Sequence, residues 1–348
     1  MSETTRSTAK PTSMDIAYLA GVSQPTVSRA LRGSPMVHPE TRKRIEQIAK
    51  ELNYSVNKSA ASLRRQESNT LALLFFEDST SDGSDINPFF LAMLGSITRA
   101  CSNRGYDLLV SFQKLSDDWQ GRYLEANRAD GLILLGYGDY LEYQPHLKQL
   151  AAQGTPFVRW GSVNTDGVGT VLGSDNRHGG YIATEHLINN GRTQIAFIGT
   201  ASRHYPEFFE RFEGYRSALT DFQIETNRDY QIDALSSEQD GYDAVQLILS
   251  KQIKIDGIVA ASDLIAIGAM RALREFNVTV SKDVSVVGFD DIPAASLTHP
   301  PLTTVSQELP TAGAALVDTL LAHIDGEIVQ SRTYPTHLVV RQSSIPRY

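Results

Sequence analysis

Residues 12–31 read TSMDIAYLAGVSQPTVSRAL, and this stretch decides how the first part of the chain folds. Thr12 and Asp15 have the spacing of a helix-capping pair, and Gly21 interrupts the helix that they begin. Ser23 can cap a second helix, whose apolar residues recur at four-residue spacing as on a buried helix face. The pattern predicts two short helices joined by a tight turn, with a third helix after them.

The second helix turns polar side chains toward solvent. A recognition helix in the DNA major groove contacts base edges through the side chains of its first turns. Arg29 can bond two acceptors of guanine and Gln24 can bond a base edge, whereas Pro25 can offer only apolar contact. The hydroxyl groups at 23, 26 and 28 suit phosphates. The predicted DNA-contacting residues are Thr12, Ser23, Gln24, Pro25, Thr26, Ser28 and Arg29. A small helical bundle without a DNA role is the alternative.

Charge is distributed unevenly along the chain. The formal net charge is −8, which by itself argues against binding to nucleic acid. Residues 1–65 nevertheless contain 11 Lys and Arg against 5 Asp and Glu, a charge of +6, and the remainder contains 21 against 35, a charge of −14. A basic segment on an acidic body is typical of a protein in which only that segment meets phosphates. Charge alone also leaves open a solvated basic tail.

Length and composition limit the class of protein. A chain of 348 residues with 41% hydrophobic residues is long enough for two or three compact units. The apolar runs are far shorter than the roughly 20 residues that span a bilayer, and no apolar segment follows the polar first residues as in a signal peptide. Cys101 is the only cysteine, which excludes a disulfide within the chain. We therefore expect a cytoplasmic protein with no membrane partner.

From residue 70 onward, short apolar runs alternate with amphipathic stretches. This alternation is typical of α/β proteins with parallel sheets. Predicted strands lie at 71–76, 107–112, 131–135, 157–160, 194–199, 257–261 and 284–289, and predicted helices at 89–103, 177–190, 209–222, 241–249 and 264–276. So many strand–helix units exceed one doubly wound sheet, and we expect two subdomains.

The N-terminal residues resemble a known family. The run 15–31, followed by PETR at 39–42 and LNY at 52–54, is similar to the DNA-binding headpiece of the lactose-repressor (LacI/GalR) family of bacterial regulators. The resemblance implies that the glutamine, proline and arginine of the second helix read bases. It implies that the hydroxyl side chains hold the phosphate backbone.

The resemblance also gives the polar connector after the headpiece a role. In this family the connector folds into a short hinge helix on cognate DNA, and its leucine inserts into the minor groove. Asn57, Ala60 and Leu63 match that motif, with Leu63 in the wedge position. Two wedges from a dimer would unstack a central base step and bend the operator. Val56 stands where the family usually has proline, so the entry to the hinge is less fixed. Packing of Leu63 on the body is the alternative.

The remainder of the chain continues the resemblance. The stretches NPFF at 87–90, DNRHGG at 175–180, RFEGY at 211–215, SDLIAIG at 262–268, VGFDD at 287–291 and PLTT at 301–304 match the family's sensing domain in order. That domain is similar to type I periplasmic binding proteins, with two lobes of parallel sheet around a cleft. The implied organisation is a disordered tail over 1–11, a helix-turn-helix headpiece over 12–55, a hinge over 56–69 and an effector-binding domain over 70–348. The N-terminal lobe is expected at about 70–168 and 302–330, and the C-terminal lobe at about 169–301 and 331–348.

A cleft for a polyol or sugar needs an arginine, acidic acceptors and aromatic faces. By motif position, Arg211 and Asp290 are the candidates for polar contacts to an effector. Phe89 and Phe90 lie where the family's first-lobe helix meets its ligand. Two alternatives stay open: Phe89 as an ordinary core residue, and Arg211 in a surface salt bridge.

Four further positions bear on the effector. Trp160 and its neighbour Arg159 are predicted at the rim of the cleft. Ser262, a candidate effector contact, stands where sugar-binding members often have asparagine, and Gly161 stands where some have aspartate. The recognised pattern of hydroxyl groups is therefore expected to differ from that of lactose analogues.

Other functions are weaker on the sequence. An enzyme lacks support, because the glycine motif that begins at residue 136 fails at Leu141 and no phosphate-binding or nucleophile motif occurs. A sugar-binding transport-type protein without a DNA role would need a signal peptide and no headpiece. A repressor that responds to a nucleobase remains as an alternative. We predict a dimeric repressor, without cofactor, metal or catalytic residues, that binds a palindromic double-stranded DNA operator under control of a sugar or glycoside.

Overall fold

The computed structural model describes residues 11–31, 33–54, 68–76, 86–113, 118–136, 138–165, 167–307 and 309–345. The chain divides into two compact units at the boundary between residues 67 and 68. The first is a small helical unit, and the second is a larger α/β unit.

The small unit contains three helices, α1 (Ser13–Ala20), α2 (Gln24–Leu31) and α3 (Pro39–Glu51). Thr12 caps α1 in the predicted capping box, because its hydroxyl accepts from the Asp15 backbone while the Asp15 carboxylate accepts from the Thr12 backbone. Gly21 ends α1 with a φ of 62°, a conformation that favours glycine. The helices meet around Ile16, Val27 and Ile45, each fully buried.

The first sheet of the larger unit has six parallel strands in the order β11-β5-β4-β3-β1-β2. These are β1 (Thr70–Phe76), β2 (Asp107–Gln113), β3 (Gly131–Leu135), β4 (Phe157–Trp160), β5 (Thr170–Ser174) and β11 (Arg332–Tyr334). The accompanying helices are α4 (Pro88–Asn103), α5 (Tyr140–Ala152) and α10 (Leu309–Ile324), and a π-helical turn spans Gly121–Glu125. This sheet and its helices form the first lobe.

Among the described residues the second sheet also has six strands, in the order β12-β10-β9-β8-β6-β7, and of these only β12 runs antiparallel to its neighbour. They are β6 (Ile195–Ile198), β7 (Gln231–Ile232), β8 (Gly257–Ala260), β9 (Ser285–Asp290), β10 (Thr303–Gln307) and β12 (Thr336–Val339). Four helices accompany them: α6 (Asn176–Asn189), α7 (Pro206–Asp221), α8 (Glu238–Ser250) and α9 (Asp263–Glu275). This sheet and its helices form the second lobe.

Two pairs of helices in the second lobe pack unusually closely. A Cβ on Gly180 of α6 would lie 2.0 Å from the Arg211 carbonyl oxygen, and a Cβ on Gly214 of α7 would lie 2.0 Å from the Arg177 carbonyl oxygen. Glycine is therefore required at both contacts. Gly268 makes the same close approach between α8 and α9.

The chain passes between the lobes three times, and the expected lobe boundaries are wrong at each passage. Strand β5, assigned by the sequence to the C-terminal lobe, pairs with β4 in the first sheet. Strand β10, assigned to the N-terminal lobe, pairs with β9 in the second sheet. Strand β11 pairs with β5 of the first sheet, although residues 331–348 were all expected in the C-terminal lobe. The amphipathic pattern of a strand does not reveal which sheet it joins, because its hydrogen-bonding partners are distant in sequence.

Candidate functional site

Helix α2 carries the side chains expected to read DNA. The exposed members of the set on this helix and its cap are Ser23, Gln24, Pro25 and Arg29, and Thr26 and Ser28 are half-buried. The Gln24 Nε2 atom donates to Ser13 Oγ of α1 at 2.9 Å, a contact that the sequence did not predict. The Ser23 and Thr26 hydroxyl oxygens lie 2.8 Å apart at the start of the helix, where backbone N–H groups favour phosphate. The outer face of α2 therefore presents together the groups that the sequence predicted to read bases and to bind phosphates.

Thr12 uses its polar groups to cap α1. Its backbone N–H and its hydroxyl each donate to Asp15 Oδ2 at 2.7 Å. The backbone N–H bond, followed by the hydroxyl bond, lowers the pKa of Asp15. The hinge residues Asn57, Ala60 and Leu63, together with Val56, lie outside the described residues.

Arg211, on α7, is buried within the second lobe. The side chain is 1% exposed, which rules out the surface salt bridge. Its Nε donates to Asn176 Oδ1 at 2.9 Å, its Nη1 donates to the Ala261 carbonyl oxygen, and its Cζ lies 3.7 Å from the centroid of the Phe289 ring. The guanidinium is therefore fixed in place on several sides.

Asp290 lies beside Arg211, at the end of β9. Its Oδ1 lies 3.7 Å from Arg211 Nη1 and accepts from Gln307 Nε2 at 2.7 Å. Asp290 has a φ of 117°, a backbone conformation that non-glycine residues keep mainly where surrounding contacts enforce it, often at functional sites. Arg211 and Asp290, distant in sequence, thus form one buried charge pair.

A second buried carboxyl group lies beside Asp290. Asp263, at the start of α9, accepts from the Thr304 hydroxyl at 2.5 Å and from the Ile292 backbone N–H at 2.9 Å. Burial, with the nearby charge of Asp290, raises the pKa of Asp263 well above its usual value. These contacts assign Asp263 to holding the loop after β9.

Ser262 belongs to a hydrogen-bonded chain that joins the lobes. Its hydroxyl accepts from the Ser236 hydroxyl at 2.8 Å, and Ser236 accepts from Asn87 Nδ2 at 3.0 Å. Asn87 caps α4 of the first lobe, and Ser236 precedes α8 of the second. The three polar groups therefore connect the two walls of the cleft.

The aromatic candidates belong to the first lobe. Phe89 is fully buried, and its ring centroid lies 5.1 Å from that of Phe90 and 6.3 Å from that of Trp160. The predicted rim position of Trp160 and Arg159 is wrong, because they are only 5% and 2% exposed. Strand β4, which carries both, lies inside the first sheet between β3 and β5.

A polar cluster that the sequence did not predict lies next to Arg211. Glu207, one helical turn before Arg211 on α7, is buried, and its Oε1 accepts from the Ser162 backbone N–H of the first lobe at 2.9 Å. Burial raises the pKa of the Glu207 carboxyl group, against the opposite effect of its hydrogen bonds and of Arg159 and Arg211. Glu210, on the same helix, accepts from the Ser162 hydroxyl at 2.5 Å. Two acidic side chains of α7, in the second lobe, therefore accept hydrogen bonds from Ser162 of the first lobe.

Arg159 faces this cluster from the first lobe. Its Nη2 donates to Thr165 Oγ1 at 2.5 Å, and its guanidinium lies 5.1 Å from the centroid of the Tyr140 ring. The Nε of Arg159 is buried without a hydrogen-bond partner. A Cβ on Gly161 would lie 2.9 Å from both Arg159 Nη1 and Glu207 Oε1, so glycine allows these two charged groups to approach.

A cavity of about 630 Å³ opens beside this cluster, between the lobes. Its lining from the first lobe is Tyr140, Leu141, Gln144, Ser162, Asn164 and Thr165, and from the second lobe Arg177, Arg203, Pro206, Phe209, Glu210 and Glu213. We call it the outer cavity. Its size is within the range of pockets that hold small molecules.

The described residues offer no alternative centre for metal chemistry. In these ranges no three His, Cys, Asp or Glu side chains come together as metal ligands. No described helix is long and apolar enough to cross a membrane.

Comparison with known proteins identifies the family. Residues 12–57 match the bacterial regulatory proteins of the lacI family, and residues 184–344 match the periplasmic binding protein-like domain. The regulator CelR of Thermobifida fusca is 32% identical over 341 residues, which cover 96% of this chain and 98% of CelR. The chain belongs to the LacI family.

Other LacI-family proteins match over similar lengths. The ribose operon repressor of Escherichia coli strain K12 is 29% identical over 324 residues, 92% of this chain and 95% of the repressor. The solved CelR–cellobiose complex has a TM-score of 0.69 at 31% identity and covers 96% of this chain and 99% of its own. The lac repressor dimer bound to operator and the anti-inducer ONPF has a TM-score of 0.84 at 26% identity and covers 97% and 100%.

The LacI assignment confirms the expected fold, an N-terminal helix-turn-helix with two lobes of largely parallel sheet. As a member of this family, the protein is a DNA-binding transcriptional regulator with a ligand-binding domain.

Proposed function

We propose that this LacI-family regulator is a cytoplasmic, dimeric repressor that binds a palindromic operator and is controlled by a sugar or glycoside held between its lobes. The observation that carries the proposal is the buried Arg211–Asp290 pair of the second lobe, one helical turn from the Glu207 contact to the first lobe, in a chain that also exposes a polar recognition helix. A guanidinium and a carboxylate side by side can together donate to and accept from neighbouring hydroxyl groups.

Helix α2 supports the DNA-binding part of the proposal. Arg29 would bond guanine and Gln24, oriented by Ser13, would bond a base edge. Pro25 would add apolar contact, and the hydroxyl groups at 12, 23, 26 and 28 would bind phosphates. Two copies on a two-fold axis would read an inverted repeat.

The hinge supplies the link to the effector in this proposal. Asn57, Ala60 and Leu63 would form the hinge helix, and paired Leu63 side chains would open the central base step. The effector would contact Arg211, Asp290 and Ser262, with the aromatic rings of Phe89, Phe90 and Trp160 forming the apolar wall. It would control DNA binding only if it binds the two arrangements of the dimer unequally.

Selection of binding sites from random duplex DNA tests the DNA-binding part. The full-length protein at near-physiological salt should enrich an inverted repeat with a flexible central step. Arg29→Ala should abolish the base preference at its position, and Leu63→Ala should weaken binding to the whole site. Arg216→Ala, which removes an exposed arginine of the α/β unit, is the matched control and should bind like the wild type. A pool without an enriched motif would contradict the proposal.

The effector class is tested by adding sugars, glycosides and nucleobases to the complex of the protein with its selected operator. A sugar or glycoside should change operator affinity, and Arg211→Met should remove the response. A response to a nucleobase and not to any sugar would contradict the proposed effector class and favour the nucleobase-responsive repressor instead.

A further inference from the structure

The two lobes are in contact at the edge of the outer cavity. His204 lies in the loop before α7 of the second lobe, and Asp139 lies directly before α5 of the first lobe. The residues next to them in sequence, Arg203 and Tyr140, both line the outer cavity. A contact between His204 and Asp139 therefore joins the lobes where that cavity ends.

His204 makes two hydrogen bonds across this edge. Its Nδ1 lies 2.6 Å from Asp139 Oδ2, and its carbonyl oxygen accepts from the Tyr140 backbone N–H at 2.8 Å. An ionised carboxylate can only accept, so the His204 Nδ1 atom donates. The side chain and the backbone of one residue of the second lobe thus hold two consecutive residues of the first.

Each partner of the side-chain contact is also held from within its own lobe. Asp139 Oδ1 caps α5 by accepting from the Leu141 and Glu142 backbone N–H groups at 3.0 and 3.3 Å, while Oδ2 contacts His204. In the second lobe the Ser202 hydroxyl oxygen accepts from the His204 backbone N–H at 3.3 Å. These local bonds remain when the lobes part, so both ends of the contact stay formed and can meet again.

Solvent reaches this contact, which distinguishes it from the buried contact beside it. The side chains of His204 and Asp139 are 50% and 20% exposed, so water can solvate both groups when they separate. Glu207, three residues after His204, is buried and accepts from the Ser162 backbone N–H of the first lobe at 2.9 Å. Breaking a contact between solvent-exposed charged groups costs much less free energy than breaking a buried one. The exposed pair can therefore open and close while the lobes stay folded.

From these observations, and resting on the proposed function in that the effector lies between the lobes, we propose that His204 and Asp139 form a clasp. The clasp is the side-chain contact of these two residues, and it keeps the lobes closed at the edge of the outer cavity in the effector-free protein. It sets the balance between closed and open lobes on which the effector acts. Loss of either side chain shifts that balance toward the open lobes.

Two backbone amides report whether the lobes are in contact. The Tyr140 and Ser162 N–H groups belong to the first lobe, and their acceptors in the second lobe are the His204 carbonyl oxygen and Glu207 Oε1. Both N–H groups lose their acceptor when the lobes part, and local opening of this kind is measured by amide hydrogen exchange. The Leu132 N–H donates within the first lobe at 3.0 Å and serves as the internal reference.

Hydrogen–deuterium exchange of the effector-free, full-length protein, read at single residues by mass spectrometry, tests the clasp. His204→Ala should speed exchange of the Tyr140 and Ser162 amides about two- to fivefold, the range for loss of a contact between exposed charged groups. Exchange of the Leu132 amide should not change. The backbone carbonyl group that accepts from Tyr140 is still present in this variant, so faster exchange measures the loss of the side-chain contact.

A second variant and a double variant show whether the two residues act as a pair. Asp139→Asn keeps a side-chain oxygen that can cap α5 but removes the carboxylate, and it should speed exchange of the same two amides. Combined with His204→Ala, it should speed exchange no more than the larger single effect, because both changes remove one contact. The matched control is Asp318→Asn, which removes the ion pair between Arg104 and Asp318 inside the first lobe and should leave both reporter amides unchanged.

Four results would overturn the clasp. They are unchanged exchange of the reporter amides in His204→Ala, an equal increase at Leu132, additive effects in the double variant, and the same increase in Asp318→Asn. An equal increase at Leu132 would indicate a general loss of stability in place of lobe opening. The measurement uses neither operator nor effector, so the clasp can fail while operator selection and the effector response stand. Failure of either of those would count against the proposed function and leave the exchange result unchanged.

Discussion

Replacement of Arg211 by methionine is expected to destabilise the α/β unit and remove effector binding. Methionine keeps an unbranched apolar stem but leaves Asp290, 2% exposed, without its guanidinium. Two hydrogen bonds, to Asn176 and to the Ala261 carbonyl oxygen, are lost as well. Removal of one partner of a buried charge pair costs about 3–5 kcal/mol.

This cost gives a measurable change in melting temperature. For a unit of this size, 1 kcal/mol corresponds to about 2 °C, so Arg211→Met should lower the Tm by roughly 6–10 °C. Differential scanning calorimetry of the full-length protein measures the change, and urea unfolding gives the free energy.

A double variant separates the charge from the packing. Asp290→Asn keeps an amide oxygen that can accept from Gln307 but removes the buried charge. When the two changes are combined, the loss of stability should be smaller than the sum of the separate losses by about 1–3 kcal/mol. Additive losses, or a Tm within 1 °C of the wild type for Arg211→Met, would refute the view that the pair is held as a buried charge pair.

Three further changes test other parts of the structure. Gly180→Ala should destabilise the protein and weaken effector binding, because its Cβ would lie 2.0 Å from the Arg211 carbonyl oxygen. Gly268→Ala, whose Cβ would lie 1.8 Å from the Glu238 carbonyl oxygen in the other helix pair, should lower stability by a similar amount without weakening effector binding. Equal losses of effector affinity in the two variants, measured by calorimetry, would contradict this prediction. As pH rises above 4.5, the Tm of the wild type should fall more than the Tm of Glu207→Gln. Burial raises the pKa of Glu207, so the folded state favours its neutral form and loses stability when the carboxyl group ionises, whereas glutamine does not ionise. Parallel curves of Tm against pH for the two proteins would be inconsistent with that cause. Thr12→Ala should cost about 1 kcal/mol of helix stability and speed amide hydrogen exchange in Ser13–Ala20, with unchanged exchange as the contrary outcome.

The local features of the headpiece could be predicted because they depend on neighbours in sequence. The capping pair of Thr12 with Asp15 and the break at Gly21 involve residues within four positions of each other. Leu19 of α1 is apolar and could have been expected in the core, but it is 57% exposed. Helix α1 buries Ile16 and residues one and four positions after it, and Leu19 falls outside that stripe.

In the α/β unit the sequence predicted the strands with strong apolar runs and missed the polar or short ones. Strand β10 reads TTVSQ and β5 reads TVLGS, and neither has the alternation or apolar run that marks a strand. These elements owe their conformation to the sheet or helices they join.

The buried charged groups of the second lobe were only partly predictable. Arg211 and Asp290 lie in motifs that the family resemblance marks. Glu207 carries no such signal, since a glutamate in the first turn of a helix is usually exposed and explained by the helix dipole. Its burial follows from the first lobe closing over α7 through Ser162, a contact between residues 45 positions apart.

The three passages between the lobes also bear on how this protein can be made. The first sheet is completed by β11 (Arg332–Tyr334) and the second by β12 (Thr336–Val339), with Pro335 alone between them. The first lobe lacks its last strand until the ribosome has translated beyond residue 334, and the second lobe until it has translated beyond residue 339. Domains generally fold as units during synthesis. Each sheet therefore keeps an unpaired edge until its last strand is synthesised, and that edge can pair with other strands in the meantime. Because β11 and β12 are adjacent in sequence, both edges are covered at nearly the same stage of synthesis.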